Sequence, residues 1–387
     1  EVWYQRTTTT VQHGLGTRGP KSEITGEPVT GPETLTDEQL AANRADFIGE
    51  IRAHPLDDDY HRERSARWDD IVVPFLSAGN WGGSSLHLRG NVEAFVRARS
   101  ERKWLEVHTR EHWTEFYSRY GFELQKRFFD HFLKGLDNGW ERTPPVLLRV
   151  RTVDDGYVER TGWEWPLADT RWTRFYLDAR DASLRTEVPS GPAMSSFAAL
   201  DSPGLTFSTP PLPEDMELTG PVAAKLFVSS STEDADLFLI IRVFRPDGRE
   251  VVFQGAVDPH TPVAHGWLRA SHRKLDPRLT TEYRPYHTHD EIQPLTPGDV
   301  YELDIEIWPT SIIVPAGFRI ALTVRGTDYE YEGEDAEAEF SHFRGRKMRG
   351  VGIYTHTDPI HRPRELYGGI TTLHTGPDYP AYLLLPV

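Results

Sequence analysis

An open α/β sheet followed by an all-β sandwich is the fold class that the sequence predicts, and three patterns predict it. Up to about residue 140, short apolar runs alternate with helical stripes; beyond it, short alternating runs are separated by Pro, Gly and Asp. The chain has 387 residues, more than the ~100–200 of one domain, so two domains are expected, 1–140 and 145–387.

Residues 1–34 are rich in Thr, Gly and Pro and read as irregular structure lying over a surface or pocket. Thr36 and Gln39 then form a capping box, and Leu40, Phe47, Ile48 and Ile51 recur at helical spacing until Pro55. Ile71 to Gly79 is an apolar run ending in small residues, the pattern of a buried parallel strand feeding a loop. Asn91 is placed to cap a helix bearing Val92, Phe95 and Val96, and Lys103 to Val107 reads as a second buried strand. A long helix is predicted next, with Phe116, Tyr120, Leu124, Phe128 and Phe132 on one stripe and Gly135 as its stop.

In the second half, Tyr301, Leu303, Ile305 and Ile307 interleave with acids, and Phe318, Ile320, Leu322 and Val324 alternate with Arg319, Ala321, Thr323 and Arg325. Leu237 to Phe244 is apolar on both faces apart from Arg242, as in a strand between two layers. Many short strands joined by turns indicate a sandwich of the jelly-roll type.

Composition narrows the chemistry. A net charge of −16 argues against nucleic acid and anionic membrane as partners, since phosphate would be repelled. No apolar run reaches the ~18 residues of a membrane span. There is no cysteine, so disulfides, thiolate metal sites and a Cys nucleophile are excluded, and a reducing, cytoplasmic setting is expected. The segment Glu1-Val-Trp-Tyr-Gln-Arg6 has no leader features and reads as a chain that begins mid-protein.

The segment Leu105-Glu-Val-His-Thr-Arg-Glu-His-Trp113 carries the functional expectation. A buried strand runs into a loop presenting His112, with a helix directly after it. Imidazole is the side chain whose unaided pKa suits general-base work near neutral pH. Asn80 and Trp81 fall at the carboxyl end of a strand, where open α/β sheets bind ligands, and Trp113 adjoins His112; all three are candidate pocket residues. For Trp81, a plug between sheet and covering helices is the equal alternative.

Several blocks resemble the CocE/NonD (cocaine esterase / X-Pro dipeptidyl-peptidase-like) hydrolases: Thr10-Val-Gln-His-Gly-Leu-Gly16, His54-Pro-Leu-Asp-Asp-Asp-Tyr60, Ala78-Gly-Asn-Trp-Gly-Gly83 and Arg127-Phe-Phe-Asp-His-Phe-Leu-Lys-Gly135. Asp234-Ala-Asp-Leu-Phe238, Gly266-Trp-Leu-Arg-Ala-Ser-His272 and Ile307-Trp-Pro-Thr-Ser311 extend the resemblance almost to the end. It implies the C-terminal half of an α/β-hydrolase sheet with part of a helical cap (about 1–65) in residues 1–140, then a jelly roll. It also implies Ser-His-acid acyl transfer on small-molecule esters or amides, with His112 as the histidine and no metal or organic cofactor.

Two departures qualify that expectation. No Gly-x-Ser-x-Gly elbow occurs, and Ser84 and Ser85 open no such turn, so the nucleophile is expected on polypeptide outside this chain. The family's aspartate falls on Gly82, leaving Asp58, Asp59 and Glu111 as substitute acids, each equally readable as a solvated loop charge. A homo-oligomer stays open as an arrangement. The rival reading is a binding or scaffolding module built on the jelly roll. A third is a metal site at His287 and His289, whose i, i+2 spacing suits one strand face but which lie in a Pro-rich stretch. Gly14-Leu-Gly-Thr-Arg-Gly19 matches a dinucleotide fingerprint only formally, because Pro20 follows where a helix should begin. Asp234 and Asp236 are expected in a turn, bonding backbone N–H groups.

Overall fold

The computed structural model describes residues 10–83, 86–256, 258–334, 336–337, 345, 347–352 and 355–387, so Ser84 and Ser85 lie outside the described residues. The chain forms two compact units, Glu1–Ser65 and Ala66–Val387.

In the first unit, capping chemistry sets the helices α1 (Asp37–Ala42), α2 (Phe47–Ala53) and α3 (Asp59–Arg64). The capping box forms as expected: Gln39 N donates to Thr36 Oγ1 at 3.3 Å and Thr36 N to Gln39 Oε1 at 2.9 Å. The apolar spacing predicted one helix as far as Pro55, whereas the chain leaves α1 at Asn43 and restarts at Asp46, which accepts from Gly49 N at 3.0 Å. An Asp that satisfies the amides of a new first turn competes with continuation of the old helix. Gln12 anchors the irregular segment by donating to Leu40 O at 2.7 Å. Gly14, Leu15 and Gly16 belong to turns and a single 3₁₀ turn, with no α-helix following Gly19 directly, so no phosphate-binding helix start exists there.

The second unit opens with β1 (Phe75–Asn80), which starts only after Pro74 because proline has no N–H to donate to a ladder. Helix α4 (Leu88–Arg97) begins earlier than expected. Asn91 is therefore not its cap; its amide donates to Ser77 Oγ and Ala78 O, both at 3.2 Å, fastening α4 to β1. Strand β2 (Lys103–His108) follows, then α5 (His112–Tyr117) and α6 (Arg119–Lys134). The single long helix expected here is split by Ser118, whose hydroxyl accepts from Gly121 N at 3.2 Å and starts α6 afresh. Gly135, in the left-handed region at φ 68°, ends α6.

The remaining strands are β3 (Val146–Thr152), β4 (Tyr157–Gly162), β5 (Trp172–Asp178), β6 (Ser183–Arg185), β7 (Ala193–Ala198), β8 (Leu205–Ser208) and β9 (Met216–Ser230). They continue through β10 (Asp236–Phe244), β11 (Ala264–Arg269), β12 (Tyr301–Val314), β13 (Arg319–Arg325), the short pair β14 (Ala336–Glu337) and β15 (Lys347–Met348), β16 (Ile370–Thr375) and β17 (Tyr382–Pro386).

Strands β1, β2 and β3 are parallel, with Phe75 opposite Lys103 and Leu105 opposite Val146. One face buries Leu105 and Val107 against Leu88, Val92 and Phe95; the other buries Trp104 against Leu124, Phe128 and Trp140. Period-two alternation along β2 sorts its residues between these faces. Hydrogen bonding does not stop where the sequence changes character. β3 pairs in parallel with β12 at Ile312 and Ile313, and β12 runs antiparallel to β9 into a large all-β core. Buried Arg151 reinforces the junction, donating to Ser311 O at 3.1 Å, Val263 O at 2.9 Å and Thr310 Oγ1 at 2.7 Å. Among the described residues no helix is long and apolar enough to cross a membrane.

Candidate active site

The parallel strands β1 and β2 end side by side, at Asn80 and His108, and the loops beyond them are locked together by backbone. Asn80 is buried and its amide donates to Arg110 O at 2.6 Å. Arg110 occupies the left-handed region at φ 60°, uncommon for a side chain of this size, and its guanidinium reaches Asp155 at 2.5 Å. That turn redirects the chain so that His112 becomes the first residue of α5. A β-carbon added at Gly82 would lie 2.5 Å from Arg110 O and 2.8 Å from Gln254 O, both main-chain atoms. Gly82 is thus the contact point of three backbone segments, also accepting from Ala256 N at 3.0 Å. No carboxylate can stand there.

His112 lines a cavity of about 780 Å³ between the sheet and α5–α6, within the size range of small-molecule sites. Phe75, Phe116, Leu124 and Phe128 make much of its wall apolar, while Glu106, His108 and His112 lie at one end of β2 and the start of α5. The His112 ring meets His87 edge-on at 5.2 Å and Trp113 at 4.6 Å. Its Nδ1 is buried without a hydrogen-bond partner. Burial, aided by the repulsion of His87 and His108 and opposed by Glu111, holds its pKa below the usual imidazole value. The ring is therefore neutral at neutral pH, the form that takes a proton.

The other expected residues fall in different places. Trp113 lines the same cavity. Asn80 and Trp81 do not: Asn80 fastens one loop to the other, and Trp81 is 2% exposed, packed with Leu88, Leu105 and Val107 while its indole N–H donates to Arg149 O at 2.8 Å. A Trp whose polar edge is satisfied by the neighbouring strand is a core plug. Asp58 caps α3 and bonds His54 Nδ1 at 2.6 Å, the His54 hydrogen bond being the main cause that holds its carboxyl below the usual range; Asp59 pairs with Arg62 at 3.0 Å. Glu111 accepts from the Thr114 hydroxyl.

Sequence reasoning passed over Glu106 and His108. Their i, i+2 spacing on one strand face was the available signal, and the structure joins them, His108 Nδ1 to Glu106 Oε2 at 2.9 Å.

The remaining sequence candidates have structural partners. Asp234 accepts from Ala235 N and Ser271 N, both at 2.9 Å, and Asp236 pairs with Arg269 and Arg362 at 2.8 Å, so both are structural. His287 and His289 lie outside any strand, and His289 sits at φ 51°, so the expected shared strand face does not form. Among the described residues no group of three or more His, Cys, Asp or Glu is arranged to hold a metal.

Residues 138–384 match the family described as the X-Pro dipeptidyl-peptidase C-terminal non-catalytic domain. The chain is 26% identical over 305 residues to the cocaine esterase of Rhodococcus sp., covering 68% of this chain and 45% of that protein. It is also 26% identical over 242 residues to a Mycobacterium bovis protein classed as a serine esterase, covering 52% of this chain and 35% of that one. A solved CocE/NonD family hydrolase from Staphylococcus aureus superposes with a TM-score of 0.79 at 29% identity, over 90% of this chain and 61% of that one. The chain thus spans well under two thirds of the length of the curated relatives it matches.

Proposed function

The chain belongs to the CocE/NonD hydrolase family, and on that premise we propose that it forms part of a serine hydrolase acting on ester or amide substrates, with His112 as the general base. In this reading residues 1–140 are the C-terminal half of an α/β-hydrolase domain with part of its cap (about 1–65), and 145–387 are the jelly roll. The nucleophilic serine comes from polypeptide outside this chain. It attacks the acyl carbonyl as His112 accepts its proton, and the imidazolium then protonates the leaving group.

The observation that carries the reading is the neutral, half-enclosed imidazole of His112 just past the carboxyl end of a parallel strand, on the wall of an apolar cavity. That ring needs a carboxylate to orient it in the usual arrangement, and Gly82 offers no room for one. The acid therefore stays unassigned among Asp58, Asp59 and Glu111, and Trp113 remains the one pocket candidate that lies on the cavity.

The test uses native material. A fluorophosphonate probe should label an activated serine, and His112→Ala should abolish both labelling and hydrolysis of small acyl esters while thermal unfolding stays near that of the wild type. Because His112 must be neutral to act and its pKa is depressed, the acid limb of the rate profile should fall below pH 6.5. Unchanged turnover in His112→Ala would sink the reading. The closed position at Gly82 favours a second one, a binding module without catalysis; native material inert to the probe would establish it.

A further inference from the structure

The cavity beside His112 holds a second imidazole that the acyl-transfer scheme does not use. Glu106 and His108 project from the same face of β2 and are both almost wholly buried, at 2% and 4% exposure. Both oxygens of the Glu106 carboxylate are occupied: Oε2 faces His108 Nδ1 at 2.9 Å, and Oε1 accepts from the Tyr120 hydroxyl at 3.3 Å. Burial, with the nearby carboxylate, raises the Tyr120 pKa well above its ordinary value, so the phenol keeps its proton and can only donate to Glu106. Tyr120 is itself braced by the Arg149 guanidinium, 4.0 Å from its ring centre.

In the tautomer whose Nδ1–H donates to that carboxylate, Nε2 is left bare as an acceptor. That Nε2 is buried and has no hydrogen-bond partner, although His108 lines the cavity. A carboxylate–imidazole pair among the residues lining the cavity, with its second ring nitrogen unpartnered, has the form of a recognition element.

We propose that His108, oriented by Glu106, is the polar anchor of this cavity: its Nε2 accepts a hydrogen bond from an O–H or N–H group carried by an acyl substrate whose apolar part lies against Phe75, Phe116, Leu124 and Phe128. The substrate class is thus an apolar, aryl- or alkyl-bearing ester or amide with a hydrogen-bond donor within reach of the β2 terminus. The inference rests on the cavity being the substrate's seat, as proposed above, but binding tests it without reference to turnover.

The experiment titrates the chain, labelled with ¹⁵N-histidine, with 3-phenylpropan-1-ol and with its methyl ether, which keeps the ring and loses the donor. The wild type should bind the alcohol about threefold to tenfold more tightly, the worth of one net hydrogen bond. The His108 spectrum should show the Nδ1–H tautomer, with the Nε2 resonance moving for the alcohol and not for the ether. His108→Phe should bring the two affinities together. The spectrum needs no variant, so a poorly folding substitution does not remove the test. Equal affinities in the wild type, or a proton on Nε2, overturn the anchor. Ester turnover that survives His112→Ala would refute His112 as the general base while leaving the donor preference intact, so the two failures are distinguishable.

Discussion

Two Gly→Ala substitutions have opposite consequences here, because one glycine is a packing contact and the other is a helix residue in open space. At Gly82 the new β-carbon would sit 2.5 Å from Arg110 O and 2.8 Å from Gln254 O. Neither neighbour is the end of a flexible side chain, so relief requires moving main chain that carries the Asn80–Arg110 hydrogen bond of 2.6 Å. Overpacking of this kind costs roughly 1–3 kcal/mol. At about 2 kcal/mol, and roughly 1–2 °C per kcal/mol for a unit as large as Ala66–Val387, the midpoint should fall by about 2–4 °C. Gly90, exposed within α4, has nothing within 4 Å of its added β-carbon. There Ala removes only the backbone-entropy cost of glycine and should stabilise by roughly 0.5–1 kcal/mol. Differential scanning calorimetry of Gly82→Ala and Gly90→Ala side by side should give shifts of opposite sign. A Gly82→Ala midpoint at or above that of the wild type would refute the three-segment backbone contact, and with it the claim that no acid fits at that position.

Two further outcomes concern stability. Asp234 is buried and accepts from Ala235 N, Ser271 N, Ser271 Oγ at 2.6 Å and the Tyr367 hydroxyl at 3.2 Å, so Asp234→Ala should cost roughly 3–5 kcal/mol in denaturant melts by stranding those donors. Burial, with the charge of His289, pushes His287 down from 6.5 to about 4. A folded-state value below the unfolded one means that the unfolded chain binds the extra proton, so stability is whole above pH 6.5 and is lost as pH falls towards 4. The loss should approach roughly 3 kcal/mol, and His287→Gln should flatten that part of the pH–stability curve; an unchanged curve would show that His287 does not carry it.

Much of the architecture was legible because it depends on local chemistry. The capping box at Thr36 and Gln39, the β2 segment, the stop at Gly135 and the alternation along β12 and β13 each follow from a few neighbouring residues. Boundaries failed where two local signals competed. Asp46 and Ser118 each restart a helix that apolar spacing alone would have carried through, and Pro74 delays β1. The candidate site was legible only in part. Spacing can bring His112 and Trp113 to the end of a strand, but it cannot tell which aromatic plugs the core, and Trp81 proved to be satisfied by Arg149 O, 68 residues further on.

From its residues alone the chain determined that it carries no thiol chemistry, and it determined its rhythm, helices and strands with the periods that bury one face of each. Tertiary structure decided what each polar group faces. Gly82 became a closed backbone contact and Glu106 was joined to His108, because a side chain's hydrogen-bond partner and its room to exist are supplied by segments distant in sequence.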